Sequence, residues 1–147
     1  MQLEFKKYYD MWKSVLLIGA LALLFACTNS KKVIYKEDES QIFFGSKGGF
    51  TNTSMEYVIN GDRNIFKIKK DSTIFVSKIS KQTFIEIEKL ITDYDFKSIE
   101  LDKPGNMTYH ITVKNKDFEN TVRWSGPENK EINDLYNKLI NTLKTAK

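Results

Sequence analysis

Apolar and polar residues alternate most regularly between Met107 and Lys114. Met107, Tyr109, Ile111 and Val113 fall on one side of an extended chain, with Thr108, His110 and Thr112 on the other. A period of two marks a strand with one buried face. Asn115-Lys116-Asp117 turns the chain, and residues 118–124 return with Phe118, Val122 and Trp124 in phase. Upstream, residues 42–47, 55–59 and 64–69 read as strands, and 73–78 as a short fourth one. Gly48-Gly49-Phe50-Thr51-Asn52 is a loop signal. Asn60-Gly61 predicts a two-residue hairpin turn with positive φ at both positions, and Asp71-Ser72 predicts the next turn.

The period changes to three and four over residues 80–94, where Phe84, Ile87, Leu90, Ile91 and Tyr94 form one stripe and Glu86 and Glu88 face away. This predicts an amphipathic helix with Ser80 as its N-cap. Asp95-Phe96 ends it, and Lys103-Pro104-Gly105-Asn106 predicts an irregular loop. Ile132, Leu135, Tyr136, Leu139, Ile140 and Leu143 make a second stripe over residues 128–143. Pro127 lies just before that helix, Glu128 and Glu131 in its first turn, and Lys138 and Lys144 towards its other end, as the helix dipole favours. The order is strands, helix, hairpin, helix. It predicts an α+β fold: an antiparallel sheet of about four to six strands with two amphipathic helices packed on one face.

Before all of this, residues 15–26 are uncharged and apolar. As a helix they span about 18 Å, short of a bilayer core of about 30 Å. The length suits the apolar region of a signal peptide, with Lys6, Lys7 and Lys13 as its positive flank. Residues 1–26 are therefore expected to be a leader, with Met11 an alternative start. The run ends at Leu24-Phe25-Ala26-Cys27, which resembles the lipobox of bacterial lipoproteins. That resemblance implies a diacylglyceryl group on the Cys27 thiol, cleavage before it, and acylation of the new amine. Each buried CH₂ contributes about 0.8 kcal/mol, so two or three chains anchor permanently. Residues 27–41 are polar, with Lys31, Lys32, Lys36, Glu37, Asp38 and Glu39, and read as a lipidated tether; residues 42–147 are one domain. A cell-envelope location is expected, on the outer rather than the inner membrane.

Composition narrows the partner. The 147 residues suit one domain, and 13% aromatic content suits a packed core. The net charge of +4 arises from 23 basic and 19 acidic residues that are interspersed, with Arg63 and Arg123 the arginines. A nucleic-acid binder concentrates its cations on one face or helix, so nucleic acid is not an expected partner.

No catalytic set emerges from the residue pattern. His110, the single histidine, reads as an exposed strand residue, and Ser125-Gly126-Pro127 as a turn before the helix. Glu86, Glu88, Asp93, Asp95, Glu100 and Asp102 have the spacing of a solvated surface, not of paired glycosidase acids. Gly45-Ser46-Lys47-Gly48-Gly49 lacks the phosphate-loop spacing. No metal site and no cofactor beyond the lipid on Cys27 are expected. What remains are two loops and an anchor: Lys47, Gly48, Gly49, Phe50 and Thr51; Pro104, Gly105 and Asn106 with Tyr109; Arg123 and Trp124, residue types common at binding hot spots. The alternative is that Phe50 and Trp124 pack the core and the glycines serve turns.

Gly48-Gly49-Phe50 after an opening strand, Asp95-Phe96 closing a helix, Tyr109-His110-Ile111-Thr112-Val113, Thr121-Val122-Arg123-Trp124 and a Leu-rich last helix resemble the emfourins over about residues 42–143. These are small inhibitors of thermolysin-like metallopeptidases. Lipoproteins with the same Gly-Gly-Phe layout are equally similar. The resemblance implies a protein-binding, peptidase-inhibitor-like module, not an enzyme, with an envelope protein or a metallopeptidase as partner. An envelope enzyme or glycan-binding lipoprotein, and a structural lipoprotein, are the other readings.

Overall fold

The chain divides into two compact units, Met1–Lys32 and Val33–Lys147. A computed structural model describes residues 40–50, 53–127 and 129–145, all within the second unit. The leader, Cys27, most of the tether and Thr51 lie outside these residues. Six strands are present: β1 (Gln41–Gly48), β2 (Thr53–Asn60), β3 (Asn64–Lys69), β4 (Ser72–Lys78), β5 (Met107–Lys114) and β6 (Glu119–Trp124). Helix α1 (Lys81–Asp93) and a 3-10 turn (Phe96–Ser98) separate β4 from β5, and α2 (Lys130–Thr145) follows β6. The sheet order is β4-β3-β2-β1-β5-β6, with every pairing antiparallel. The fold is therefore α+β, at the upper end of the expected strand number.

Register assigns the two faces. Ile42 lies opposite Ile59 and Val113, and Phe44 opposite Tyr57 and Ile111. These residues, with Ile65, Val122 and Trp124, form one buried cluster with Ile87 and Ile91 of α1 and Ile132, Leu135 and Leu139 of α2. Both helical stripes are thus consumed on one sheet face, because neither amphipathic helix nor half-apolar sheet can hide its apolar side alone.

The Asn60-Gly61 hairpin differs from expectation. Three residues connect β2 to β3, and the left-handed conformation falls on Arg63 (φ 68°). Arg63 N–H donates to the Asn60 carbonyl (2.8 Å), and Asn64 N–H to Asn60 Oδ1 (3.0 Å). This is the three-residue loop in which the last position turns left-handed; the Asn60 side chain substitutes for the tighter turn. Ser80 caps α1 as expected, accepting from Thr83 N–H at 3.0 Å. Helix α2 starts later than Pro127 suggests, because Asn129 Oδ1 accepts from Ile132 N–H (3.0 Å) and defines the first turn. Glu86 does not simply face solvent: it binds Lys138 Nζ at 2.5 Å and joins the two helices.

Beyond β6, the edge is covered. Arg123 N–H donates to the Leu101 carbonyl (2.8 Å) and Lys103 N–H to the Arg123 carbonyl (2.9 Å), so residues 101–103 run alongside it. That segment carries Pro104 and Gly105 towards the far end of β1.

Candidate functional site

The second sheet face carries the residues that alternate with the core. Near the Gly48 end of β1 they form two cross-strand rows. Glu56, Gly45, His110 and Arg123 lie side by side on β2, β1, β5 and β6, and Ser54, Lys47 and Thr108 form the next row. The loop of Pro104, Gly105 and Asn106 closes one side. Together they line a groove of about 550 Å³.

Gly45 lies between Glu56 and His110. A Cβ there would lie 2.0 Å from the Met55 carbonyl oxygen, so the strand approaches its neighbour as only glycine allows. The missing side chain lets Glu56 and His110 reach towards each other across β1, with Oε1 and Nε2 at 4.0 Å. His110 is not the exposed strand histidine expected from the alternation: its side chain is 20% exposed. Burial pushes its pKa below the usual imidazole value, Glu56 opposes that, and Arg123 adds to it. A protonated imidazole is thus less favoured in the folded than in the unfolded chain. Stability associated with His110 is present above the unfolded pKa of 6.5 and is lost as pH falls below it. Between about pH 7.5 and about pH 5 the wild type is expected to lose more stability than His110→Gln, read from denaturant midpoints at each pH. Equal losses would remove His110 from the account.

Charges of both signs line the groove. Arg123 Nε contacts Asp102 Oδ1 at 3.3 Å, and the exposed Lys47 adds a second cation beside Glu56. Thr108 Oγ1 holds the loop, donating to the Gly105 carbonyl (3.0 Å) and accepting from Gly105 N–H (3.1 Å). Such a lining suits the mixed polar groups of a polypeptide. A polyanion would meet Glu56 and Asp102 as well as the cations.

At the rim, Gly48 (φ 113°) and Gly49 (φ 78°) adopt conformations that favour glycine. Gly49 N–H donates to the Asn106 carbonyl at 2.7 Å, tying the two loops together, and a Cβ on Gly48 would lie 2.2 Å from that same oxygen. The turn presents Phe50 with its ring fully solvated, at 105% relative exposure. A bare aromatic is unusual among large apolar residues, which normally keep part of their surface covered.

Of the expected contact residues, Lys47, Gly48, Pro104, Gly105 and Arg123 line the groove, and Gly49 and Phe50 stand at its rim. Trp124 is the correction. It is 0% exposed on the opposite face, packed between Tyr109 and Tyr136, with Nε1–H donating to Asn133 Oδ1 at 3.0 Å. Adjacent strand residues point to opposite faces, so Arg123 and Trp124 cannot serve one surface. Sequence reasoning named Asn106 with its loop but missed Ser54, Glu56 and Thr108 and discounted His110. The available signal was Gly45, an isolated glycine within a strand.

No family model matches the chain, and no curated protein matches it.

Proposed function

We propose that this chain is a lipid-anchored envelope protein, fixed to a membrane through Cys27, whose domain binds another protein at the pole formed by residues 47–50 and 104–106. The observation that carries the reading is Phe50: an uncovered aromatic ring held by two left-handed glycines beside a mixed-charge groove. Aromatic anchors on rigid backbone bind at low entropic cost. The pole is also well placed. It lies at the Gly48 end of β1, while the tether joins at the Gln41 end, about 23 Å away along the strand. A domain tethered at one end offers the other to partners. The partner class that the emfourin resemblance favours is a metallopeptidase.

Phe50→Ala is expected to weaken partner binding by about 2 kcal/mol or more, roughly 30-fold, with stability changed by less than about 0.5 kcal/mol. The check is quantitative capture from envelope membranes with wild type and variant, beside inhibition of a thermolysin-like peptidase. A partner retained equally by both forms would overturn the assigned pole. Fatty-acid labelling that persists in Cys27→Ala would overturn the anchor.

A further inference from the structure

An asparagine followed by glycine is the pair most prone to lose its side-chain amide, because glycine has no Cβ to obstruct its own nitrogen. The chain contains one such pair, Asn60-Gly61. The main-chain nitrogen of Gly61, having given its proton to base, attacks Asn60 Cγ. The N–Cγ bond forms, the Cγ–Nδ2 bond breaks, and Nδ2 takes up a proton and leaves as ammonia. Water then opens the cyclic imide. Breaking the new N–Cγ bond gives aspartate. Breaking the bond from the same nitrogen to the Asn60 carbonyl carbon gives isoaspartate, whose main chain runs through Cγ. Nothing is oxidised or reduced: a water enters and ammonia departs.

The fold restrains this pair from the Asn60 side. Gly61 is exposed, so base reaches its N–H, whereas Asn60 is 0% exposed. Asn60 ends β2 in register with Gln41 of β1. Its carbonyl accepts from Arg63 N–H (2.8 Å) and its Oδ1 from Asn64 N–H (3.0 Å). Ring closure needs the side chain and the peptide free to rotate towards each other, and both are pinned. The products fit worse than the amide. Nδ2 is buried without an acceptor, a position that a neutral group tolerates. Aspartate would put a charge there, and a charge is far more costly to bury than an amide. Isoaspartate adds a carbon to the main chain and so disturbs the pairing of β2 with β1, where register sets which side chains reach the core. We propose that Asn60-Gly61 is a covalent modification site gated by folding: it is stable in the folded chain, converts to aspartate or isoaspartate in the unfolded chain, and once converted bars the return to the native fold. Long residence in the unfolded state is then irreversible.

The test incubates the full-length chain at mildly alkaline pH, in buffer and at increasing urea, and follows residues 60 and 61 by peptide mass mapping with an isoaspartate assay. Conversion at Asn60 is expected to track the unfolded fraction, about a hundredfold or more slower in buffer than in the fully unfolded chain. Trp124→Ala leaves the reacting pair unchanged and raises the rate in buffer, because it raises the unfolded population; a variant that never folds converts at the urea rate. Equal rates in buffer and in urea would overturn the gate, as would a Trp124→Ala chain that is less stable yet no faster. The bar to return is read separately, by diluting converted chains out of urea beside Asn60→Asp. Converted chains are expected not to regain native circular dichroism, and Asn60→Asp to unfold at a clearly lower urea midpoint than wild type. Full recovery of converted chains, or a wild-type midpoint for Asn60→Asp, would overturn it.

Discussion

Trp124→Ala lowers folding stability by about 3–5 kcal/mol, the range for a large aromatic removed from a packed core. The indole is wholly buried, contacts Tyr109 and Tyr136, and satisfies Asn133 Oδ1. Its removal leaves a cavity and a polar oxygen without its donor. A domain of this size has about 5–15 kcal/mol in total, so the variant unfolds at a much lower denaturant midpoint or fails to accumulate. The contrast with Phe50→Ala is the informative part. If Trp124 were a surface anchor, the two variants would lose partner binding alike and stability hardly at all. The buried position requires the opposite division: stability lost at 124, binding lost at 50. Guanidinium titration of both variants, monitored by circular dichroism, decides between them.

Gly45→Val is expected to cost about 3 kcal/mol, the top of the usual overpacking range, because the first added carbon would sit 2.0 Å from the backbone oxygen of Met55. Nothing flexible is available to yield: the neighbour is the β2 main chain, held by its ladder with β1. The branched side chain would also stand between Glu56 and His110. Gly45→Ala separates the two effects. It carries the same backbone clash but places less between those two side chains, so its stability loss approaches that of valine while any groove-dependent binding suffers less. A Gly45→Val protein with wild-type stability would mean that β1 and β2 are not as close as described.

The two sets of turn and cap residues show how local the legible information was. Ser80 could be assigned as an N-cap because its partner, Thr83 N–H, lies three residues away. The hairpin after β2 was located by Asn60-Gly61 but mistyped, since the choice of left-handed residue depends on how β3 continues into the sheet and not on the dipeptide. Arg63 adopts that conformation although nothing in its side chain asks for it. Asn120 is a similar case: its Nδ2 bridges the Phe96 and Ile99 carbonyls at 2.7 and 3.0 Å, partners more than twenty residues away that no local pattern reveals.

Whatever repeats along the chain or depends on near neighbours was legible in the residues: both helical stripes, the alternation that makes strands, the Gly-Gly-Phe turn, and the apolar run before Cys27. Hydrophobic period reports burial of one side of an element, so it specifies element type and inward face. It contains no information on which strand lies beside which. Only in three dimensions does β1 insert between β2 and β5, residues 41–48 meeting residues 107–114 across about sixty to seventy positions of chain. That pairing puts Gly45 between Glu56 and His110, ties Gly49 to Asn106, and sends Arg123 to the groove while turning Trp124 into the core. Long-range register converts scattered residues into a site, and it is set by the fit of whole faces rather than by any single residue.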